Sequence, residues 1–163
     1  MQGMDPQFYQ HRINLVNDLK ACRKEKNILK VEKVHTHIVD ENLIEKDARI
    51  ATALLKAYVI CGAIGKAQEV FDQLLVHDVV SWTALLGGYA QQGLGHETLE
   101  CFKKMQDEGI SPNSVTFTCI LNVCGGTGDI EQGNQIHEMI MDRRLLEKDI
   151  MLGNALVDMY AKC

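Results

Sequence analysis

The stretch Asp78–Asn113 decides the fold, and it reads DVVSWTALLGGYAQQGLGHETLECFKKMQDEGISPN. Its first half carries apolar side chains at positions i, i+3, i+4 and i+7, which is the spacing of one face of an α-helix. These side chains are Trp82, Leu85, Leu86 and Tyr89. Gly93 follows them and predicts the end of this helix, because glycine is common just past a helix C-terminus.

The second half of the stretch predicts a second helix. Leu99, Phe102 and Met105 share its apolar side. Gly109 predicts the end of this helix, and Pro112 prevents any continuation. The stretch is therefore predicted to be a helical hairpin.

The same hairpin pattern occurs before and after this stretch. Residues 48–78 contain a first apolar helix, then Gly62, then a second apolar helix. Further landmarks recur at a constant offset of 102 residues. They are Cys22 with Cys124, His35 with His137, Asp47 with Asp149, Leu54 with Leu156, Tyr58 with Tyr160, and Cys61 with Cys163.

The recurring pattern divides the chain into units. A period of 31–36 residues is typical of helical hairpins that stack into a solenoid, since one hairpin alone cannot bury its apolar face. The fold class predicted is all-α, an α-α superhelix of hairpins similar to tetratricopeptide arrays. The units predicted are an N-terminal segment 1–11, a long repeat 12–47, a short repeat 48–78, a standard repeat 79–113, a long repeat 114–149 and a truncated short repeat 150–163.

These units resemble pentatricopeptide repeats. The resemblance rests on Asp78–Ala90, on Phe102–Asn113 and on Asn154–Cys163, and the alternation of unit lengths resembles the plant subclass with mixed repeats (PLS-type). It implies a fragment of a longer array that binds single-stranded RNA, one repeat per base, in RNA processing or editing. It also implies a mitochondrion or chloroplast as the location and processing or editing factors as partners.

Two alternatives stay open beside this interpretation. A tetratricopeptide array, which binds peptides, has a similar apolar pattern, although its period is constant and lacks a closing Asp or Asn. The second alternative is a protein-interaction scaffold that does not bind RNA. A fragment without activity of its own is a further outcome.

The resemblance assigns base recognition to the fifth residue of a repeat together with its last residue. It implies adenine for Thr83 with Asn113, guanine for Thr52 with Asp78, and a pyrimidine for Asn154. The long units carry Val16 with Asp47 and Thr118 with Asp149. No base is assigned to them, because long units follow the family's base code poorly and because valine has no donor or acceptor.

The resemblance also implies positions that sandwich the base and positions that contact phosphate. Val80 and Val115 flank the Thr83 slot, whereas Arg49 departs from the apolar habit at the same place in the short unit. Lys24 and Lys162 fill the place of a phosphate contact.

Each proposed reader also has a structural interpretation. Asp47, Asp78, Asn113 and Asp149 stand just before a helix, where such residues commonly cap the N-terminus. His35 and His137 are expected to pack at repeat interfaces rather than to act in catalysis.

Composition narrows the function further. The net charge is −5, so non-specific attraction to nucleic acid is expected to be small. No Cys-x-x-Cys pair, phosphate-binding loop or nucleophile motif occurs. We therefore expect no catalytic residues, no metal, no cofactor and no small-molecule substrate, and buried thiols rather than disulfides. No apolar run is long enough for a membrane span, and Met1–Gln10 does not resemble a transit peptide.

Overall fold

The computed structural model describes residues 6–163, and this part of the chain folds into helices joined by turns. The helices are α1 Pro6–Glu25, α2 Ile28–Asp40, α3 Leu43–Lys46, α4 Ala48–Ile60, α5 Ile64–Asp72, α6 Val79–Gln91, α7 Gly95–Asp107, α8 Ser114–Thr127, α9 Ile130–Asp142 and α10 Ile150–Lys162. No strand occurs among the described residues. The predicted all-α fold class is confirmed.

The chain divides into two compact units. The first ends at His77 and the second begins at Asp78. In the first unit α4 packs against α1, α2, α3 and α5, and its buried side chains form much of the core. In the second unit α6 packs on α7 and α8, and α8 packs on α9 and α10.

Glycines end three of the helices, as the sequence predicts. Two of these are first helices of a hairpin and one is a second helix. Gly62, Gly93 and Gly109 have φ of 77°, 72° and 75°. A side chain would be strained in this left-handed region, whereas glycine adopts it freely. The residue after each glycine donates its N–H back to the last turn, as Leu94 does to the Tyr89 carbonyl at 3.0 Å. These are Schellman-type ends that turn the chain into the next helix.

Several details differ from the sequence-based expectations. Helix α1 begins at Pro6 and crosses the predicted boundary between the N-terminal segment and the first long repeat, while residues 1–5 of that segment lie outside the described part. The first long repeat gains the short helix α3, whereas residues 146–148 of the second long repeat form a turn. Cys101 and Thr98 are buried on α7, and Leu99 is only half-buried.

The sequence predicts an apolar stripe on α10, formed by Leu156, Met159 and Tyr160, that the chain does not fully cover, and this prediction is partly wrong. Leu156 and Met159 are 5% and 0% exposed, because α10 packs on α8. A Cβ added to Gly125 of α8 would lie 3.3 Å from the Met159 Cα, so the two helices are in close contact there. Tyr160 remains 40% exposed.

The cysteines are free thiols in the described residues. Cys22, Cys101 and Cys124 are buried, in agreement with the expectation, whereas Cys163 is exposed. Burial raises the pKa of the Cys101 thiol to about 12, so this side chain stays protonated and packs as a small apolar group.

The two repeated histidines pack against the two repeated tyrosines. His35 Nδ1 lies 2.7 Å from the Tyr58 hydroxyl, and His137 Nδ1 lies 2.9 Å from the Tyr160 hydroxyl. Both ring pairs are edge-to-face, with centroids 5.5 and 5.6 Å apart. Each pair joins the second helix of a long repeat to the first helix of the next repeat.

The environments of the two pairs differ. Tyr58 is 1% exposed, and burial raises its pKa to about 12. Burial also lowers the pKa of His35, so a neutral imidazole faces a neutral phenol. The Tyr160 hydroxyl donates to Asn134 Oδ1 at 2.8 Å, and this pair is exposed to water.

Tyr58→Phe is expected to lower the free energy of unfolding by about 1 kcal/mol, since it leaves a half-buried His35 nitrogen without its partner. Tyr160→Phe serves as the matched control and is expected to cost less, because water replaces its hydrogen bonds. Urea unfolding followed by circular dichroism measures both. Equal costs for the two variants would contradict the different roles given to the pairs.

Candidate nucleic-acid interface

The four closing residues of the predicted repeats all cap helices. Asp47 accepts from the Arg49 and Ile50 backbone N–H groups, and the other three accept from a backbone N–H three residues ahead. Those three are Asp78, Asn113 and Asp149, with distances of 2.8, 2.9 and 3.1 Å. The capping interpretation is thus confirmed. Base recognition has to use the atoms that capping leaves over.

Thr83 and Asn113 are joined through Thr116, which is fully buried. The Thr116 hydroxyl donates to Asn113 Oδ1 at 3.0 Å, and the Thr83 and Thr116 hydroxyl oxygens are 2.8 Å apart. Because the single Thr116 hydroxyl hydrogen is used on Asn113, Thr83 donates to Thr116. This chain of hydrogen bonds connects α6 to the start of α8.

These hydrogen bonds leave one acceptor, on Thr83, and one donor, on Asn113, for a ligand. Thr83 has spent its hydrogen, so its oxygen is left as an acceptor. Asn113 uses Oδ1 inward on Thr116 and is exposed, so its Nδ2 group is left as a donor. Capping by Asn113 and recognition by Asn113 are therefore compatible, because they use different atoms.

Thr116 was not singled out from the sequence. It belongs to a capping box, in which the N-cap and the third helical residue bond reciprocally. The sequence Asn113-Ser-Val-Thr116 is the signal that could have identified it.

The two predicted sandwich residues of this slot are exposed apolar side chains. Val80 is 42% exposed near the start of α6, and Val115 is 59% exposed near the start of α8. Each lies in the first turn of a first helix, beside the cap residue.

The short-repeat readers lie in different compact units. Thr52 is half-buried on α4 in the first unit. Asp78 is exposed in the second unit, where Oδ1 accepts from the Ser81 N–H. Asn154 lies exposed on α10.

The second long repeat uses its candidate readers largely within the fold. The Thr118 hydroxyl donates to the Ser114 carbonyl one turn back, at 2.9 Å. Asp149 accepts from the Leu152 N–H, and this bond, followed by the Ser114 side chain, lowers the pKa of the carboxyl. The carboxylate thus favours its charged form at the N-terminus of α10.

The Asp149 carboxyl is expected to titrate below its ordinary range, and Ser114→Ala is expected to raise its pKa partway back. Since the folded-state pKa is depressed, the capping contribution is present above the unfolded-state pKa and is lost as pH falls through the folded one. Carbon-detected NMR titration of the carboxyl measures this. An unchanged midpoint in Ser114→Ala would contradict the role of the Ser114 side chain.

The first long repeat places its candidate readers together. Val16 and Asp47 line one pocket between α1 and α4, with Arg49 at the same pocket. The volume of the pocket is about 210 Å³. The Asp47 carboxylate also pairs with Arg12, with Oδ2 3.1 Å from Nη1.

The two predicted phosphate contacts are exposed lysines. Lys24 lies in the last turn of α1. Lys162 lies in the last turn of α10, where its ammonium is 2.5 Å from the Asp158 carboxylate. An exposed pair of this kind contributes little to stability and leaves the lysine exchangeable with another anion.

Two further properties concern the described residues 6–163. No cluster of three or more His, Cys, Asp or Glu side chains there has the arrangement of a metal site. No helix there has both the length and the apolar character of a membrane span.

Two family models match the chain. The model of the PPR repeat family matches residues 77–126, and the PPR repeat model matches residues 50–79. Together they cover the middle of the chain, including Thr52, Asp78, Thr83 and Asn113.

Curated relatives match nearly the whole chain. A pentatricopeptide repeat-containing protein of Arabidopsis thaliana is 36% identical over 99% of this chain and 31% of its own length. A chloroplastic one from the same plant is 31% identical over 96% of this chain and 25% of itself. A mitochondrial one from the same plant is 32% identical over 99% of this chain and 22% of its own length. The chain thus spans less than a third of the length of these relatives.

Solved structures share the fold. The maize pentatricopeptide repeat protein PPR10 superposes with a TM-score of 0.66 and 23% identity, covering 91% of this chain and 22% of PPR10. PPR10 in complex with an 18-nt psaJ RNA element superposes with a TM-score of 0.64 and 20% identity, covering 79% of this chain and 19% of PPR10. The likeness shows that the hairpins adopt the helical solenoid fold.

Proposed function

Because this chain carries pentatricopeptide repeats, we propose that it binds single-stranded RNA and selects the sequence with one repeat per nucleotide. The related PPR10 is known in complex with an RNA element, and it shares the fold of this chain. The family models overlap the repeats that hold Thr83 and Asn113. The proposal therefore concentrates on this slot.

The observation that carries the proposal is the hydrogen-bond chain Thr83–Thr116–Asn113. It connects the two residues and leaves an acceptor on Thr83 and a donor on Asn113. The Watson–Crick edge of adenine offers an amino donor next to the N1 acceptor, which complements this pair. Guanine and uracil present the opposite order, and cytosine is the nearest competitor because it shares the order of adenine on a smaller ring.

Apolar contact complements the edge recognition. Val80 and Val115 offer exposed side chains on the two helices that contribute Thr83 and Asn113. A base placed between them would cover apolar surface that is otherwise in water, which favours binding without regard to its identity. Selection and affinity then come from different side chains.

The other predicted RNA contacts are also proposed from the chemistry of their side chains. Guanine remains the base that the resemblance implies for the short repeat, since a carboxylate such as that of Asp78 accepts from the donors on the guanine edge. Asn154 is proposed to favour a pyrimidine, and Lys24 and Lys162 are proposed to contact phosphates. Thr118 and Asp149 are proposed to lie beside a nucleotide without a base assigned.

The wider role is proposed from the relatives. They include chloroplastic and mitochondrial proteins, so RNA processing or editing in one of these organelles is the role we propose. We further propose that the chain is a segment of a longer, PLS-type array that acts through RNA binding and not through catalysis, with processing or editing factors as partners.

A second candidate is a protein-interaction scaffold. The observation that favours it is the exposed apolar surface of α10, where Ile150, Met151 and Val157 are 81%, 73% and 70% exposed. Such a patch is typical of a surface that contacts another protein element. Binding of RNA and binding of protein would use different parts of the chain.

Backbone NMR during titration with single-stranded RNA tests the proposal. We expect chemical-shift changes at the starts of α6 and α8, around Val80, Thr83 and Val115, and their loss as salt rises. Double-stranded RNA of the same sequence is the control and is expected to leave these signals in place. Changes confined to α10, or none at all, would contradict the RNA-binding proposal.

A further inference from the structure

The pocket between α1 and α4 combines apolar walls with a cationic rim. Ile13, Val16 and Ile50 contribute apolar wall, and about 210 Å³ is open between them. Arg12, Lys20 and Arg49 also line this pocket, and Asp47 is the one acidic residue among its lining side chains.

The charge of this pocket differs from that of the whole chain. Three cationic side chains against one carboxylate give a locally positive site on a protein of net charge −5. An apolar space with positive charge at its edge fits a planar ring that carries an anionic group. A nucleotide has this chemistry, with the base as the ring and the phosphate as the anion.

The carboxylate that would read the base is already occupied. Asp47 Oδ1 accepts from the Arg49 and Ile50 N–H groups at 3.0 and 3.4 Å. Oδ2 accepts from Arg12 Nη1 at 3.1 Å. Both oxygens are thus held within the protein, and the Asp47 side chain is only 11% exposed.

Arg12 is itself fixed in place. Its guanidinium carbon lies 4.3 Å from the centre of the Phe8 ring, and its side chain is 18% exposed. Stacking on an aromatic ring and pairing with a carboxylate both favour one orientation of the guanidinium. A base entering the pocket would have to displace this partner to reach Asp47.

The second long repeat lacks this arrangement. The residue equivalent to Arg12 is Ser114, whose neutral side chain hydrogen-bonds to Asp149, so no cation pairs with this carboxylate among the described residues. The ion pair on the closing carboxylate therefore occurs in the first long repeat and not in the second.

We propose that the pocket binds one nucleotide without selecting its base, because Arg12 keeps Asp47 from reading the base edge. This inference rests on the proposed function and deepens it. The base contacts Ile13, Val16 and Ile50, and the phosphate contacts Lys20 and Arg49. Arg12 acts as a positioning residue, and the exposed Asn17 amide, with both a donor and an acceptor, pairs with any base.

Titration of the whole chain with AMP, GMP, CMP and UMP tests the inference, with inorganic phosphate as the control. Methyl signals of Ile13, Val16 and Ile50 are followed by NMR. We expect all four nucleotides to shift them with Kd values within about twofold of one another. Phosphate alone is expected to leave them unchanged, because it does not fill the apolar space.

Two variants at position 12 separate the effect of the Arg12–Asp47 pair from the effect of a positive charge in the pocket. Arg12→Ala removes the cationic partner of Asp47 Oδ2 without adding a hydroxyl, and it is expected to favour GMP by about fivefold or more, since the freed carboxylate accepts from the guanine donors. Arg12→Lys keeps a cation beside Asp47 and is expected to retain the even ranking.

Each outcome bears on one claim. A ranking among bases in the parent chain, no methyl shifts with any nucleotide, equal shifts with phosphate, or an even ranking in Arg12→Ala would overturn the inference. The ranking of the four nucleotides by the parent chain tests the inference even where Arg12→Ala fails to fold. Failure of RNA to perturb α6 and α8 would instead contradict the proposed function, so the two failures are distinguishable.

Discussion

Replacing Phe117 by alanine is expected to lower the free energy of unfolding of the second unit by about 3–5 kcal/mol. Phe117 is 0% exposed in α8, the helix that packs on α6, α7, α9 and α10. Its ring lies edge-to-face with Phe102 at a centroid distance of 6.4 Å, and the Arg143 guanidinium carbon lies 5.5 Å from its centre. Truncation therefore removes buried apolar surface and leaves a cavity that rigid helices cannot close.

Urea unfolding of the chain measures this loss, and amide exchange across α6–α10 assigns it to the second unit. Val115→Ala is the matched control, because it removes an apolar side chain two residues away that is 59% exposed. We expect the control to cost less than about 0.5 kcal/mol. Similar costs for both variants would mean that Phe117 is not the packing centre of α8.

The helices and their ends could be predicted from the sequence because their causes are local. The spacing of Trp82, Leu85 and Tyr89 reports a helix face, and Gly62 and Gly93 report left-handed turns that other residues avoid. The constant offset of 102 residues then predicts that what holds for one hairpin holds for another. The helix faces, the helix ends and the repeat offset can therefore be recognised without knowledge of the tertiary contacts.

The contacts of the candidate readers could not be predicted in the same way. Thr83 reaches Thr116 from 33 positions away, and Arg12 reaches Asp47 from 35. These bonds depend on how side chains of neighbouring repeats meet, and the equivalent of Arg12 is a serine. Equal spacing therefore predicts equal helices but not equal hydrogen bonds.

The burial of α10 illustrates the same limit. Its stripe was expected to lack a cover because a second helix does not follow it in the sequence. The sequence alone does not show how much surface α8 covers, and α8 buries Leu156 and Met159 fully or nearly so. Val157 and Tyr160, the equivalents of buried Leu55 and Tyr58, remain exposed.

The second large effect is expected at the base slot. Asn113→Asp keeps one oxygen as the cap of α8 but replaces the outward Nδ2 donor by an acceptor. Adenine loses its complement on this side, and guanine gains one for its edge donors. We expect a change of about 1–3 kcal/mol in the preference between the two bases, on the scale of a polar pair that reads a base edge.

In this variant, the effect of the added charge on RNA affinity has to be separated from the effect on base recognition. Asn113→Asp adds a negative charge, which weakens binding to every RNA. Asn122→Asp on the exposed surface of α8 adds the same charge without touching the slot, and it is the control. A uniform loss shared by both variants reports electrostatics, whereas a change in rank order confined to Asn113→Asp reports base reading.

Base selection by Thr83 and Asn113 is tested most directly by the rank order of four RNAs that differ only at the nucleotide opposite this repeat. A single slot binds weakly, so the chain is extended with consensus repeats on both sides, and affinities are measured at fixed salt. We predict adenine first for the parent and guanine first for Asn113→Asp. Identical rankings for the two proteins would show that Asn113 serves as a helix cap alone, and would contradict sequence selection by Thr83 and Asn113.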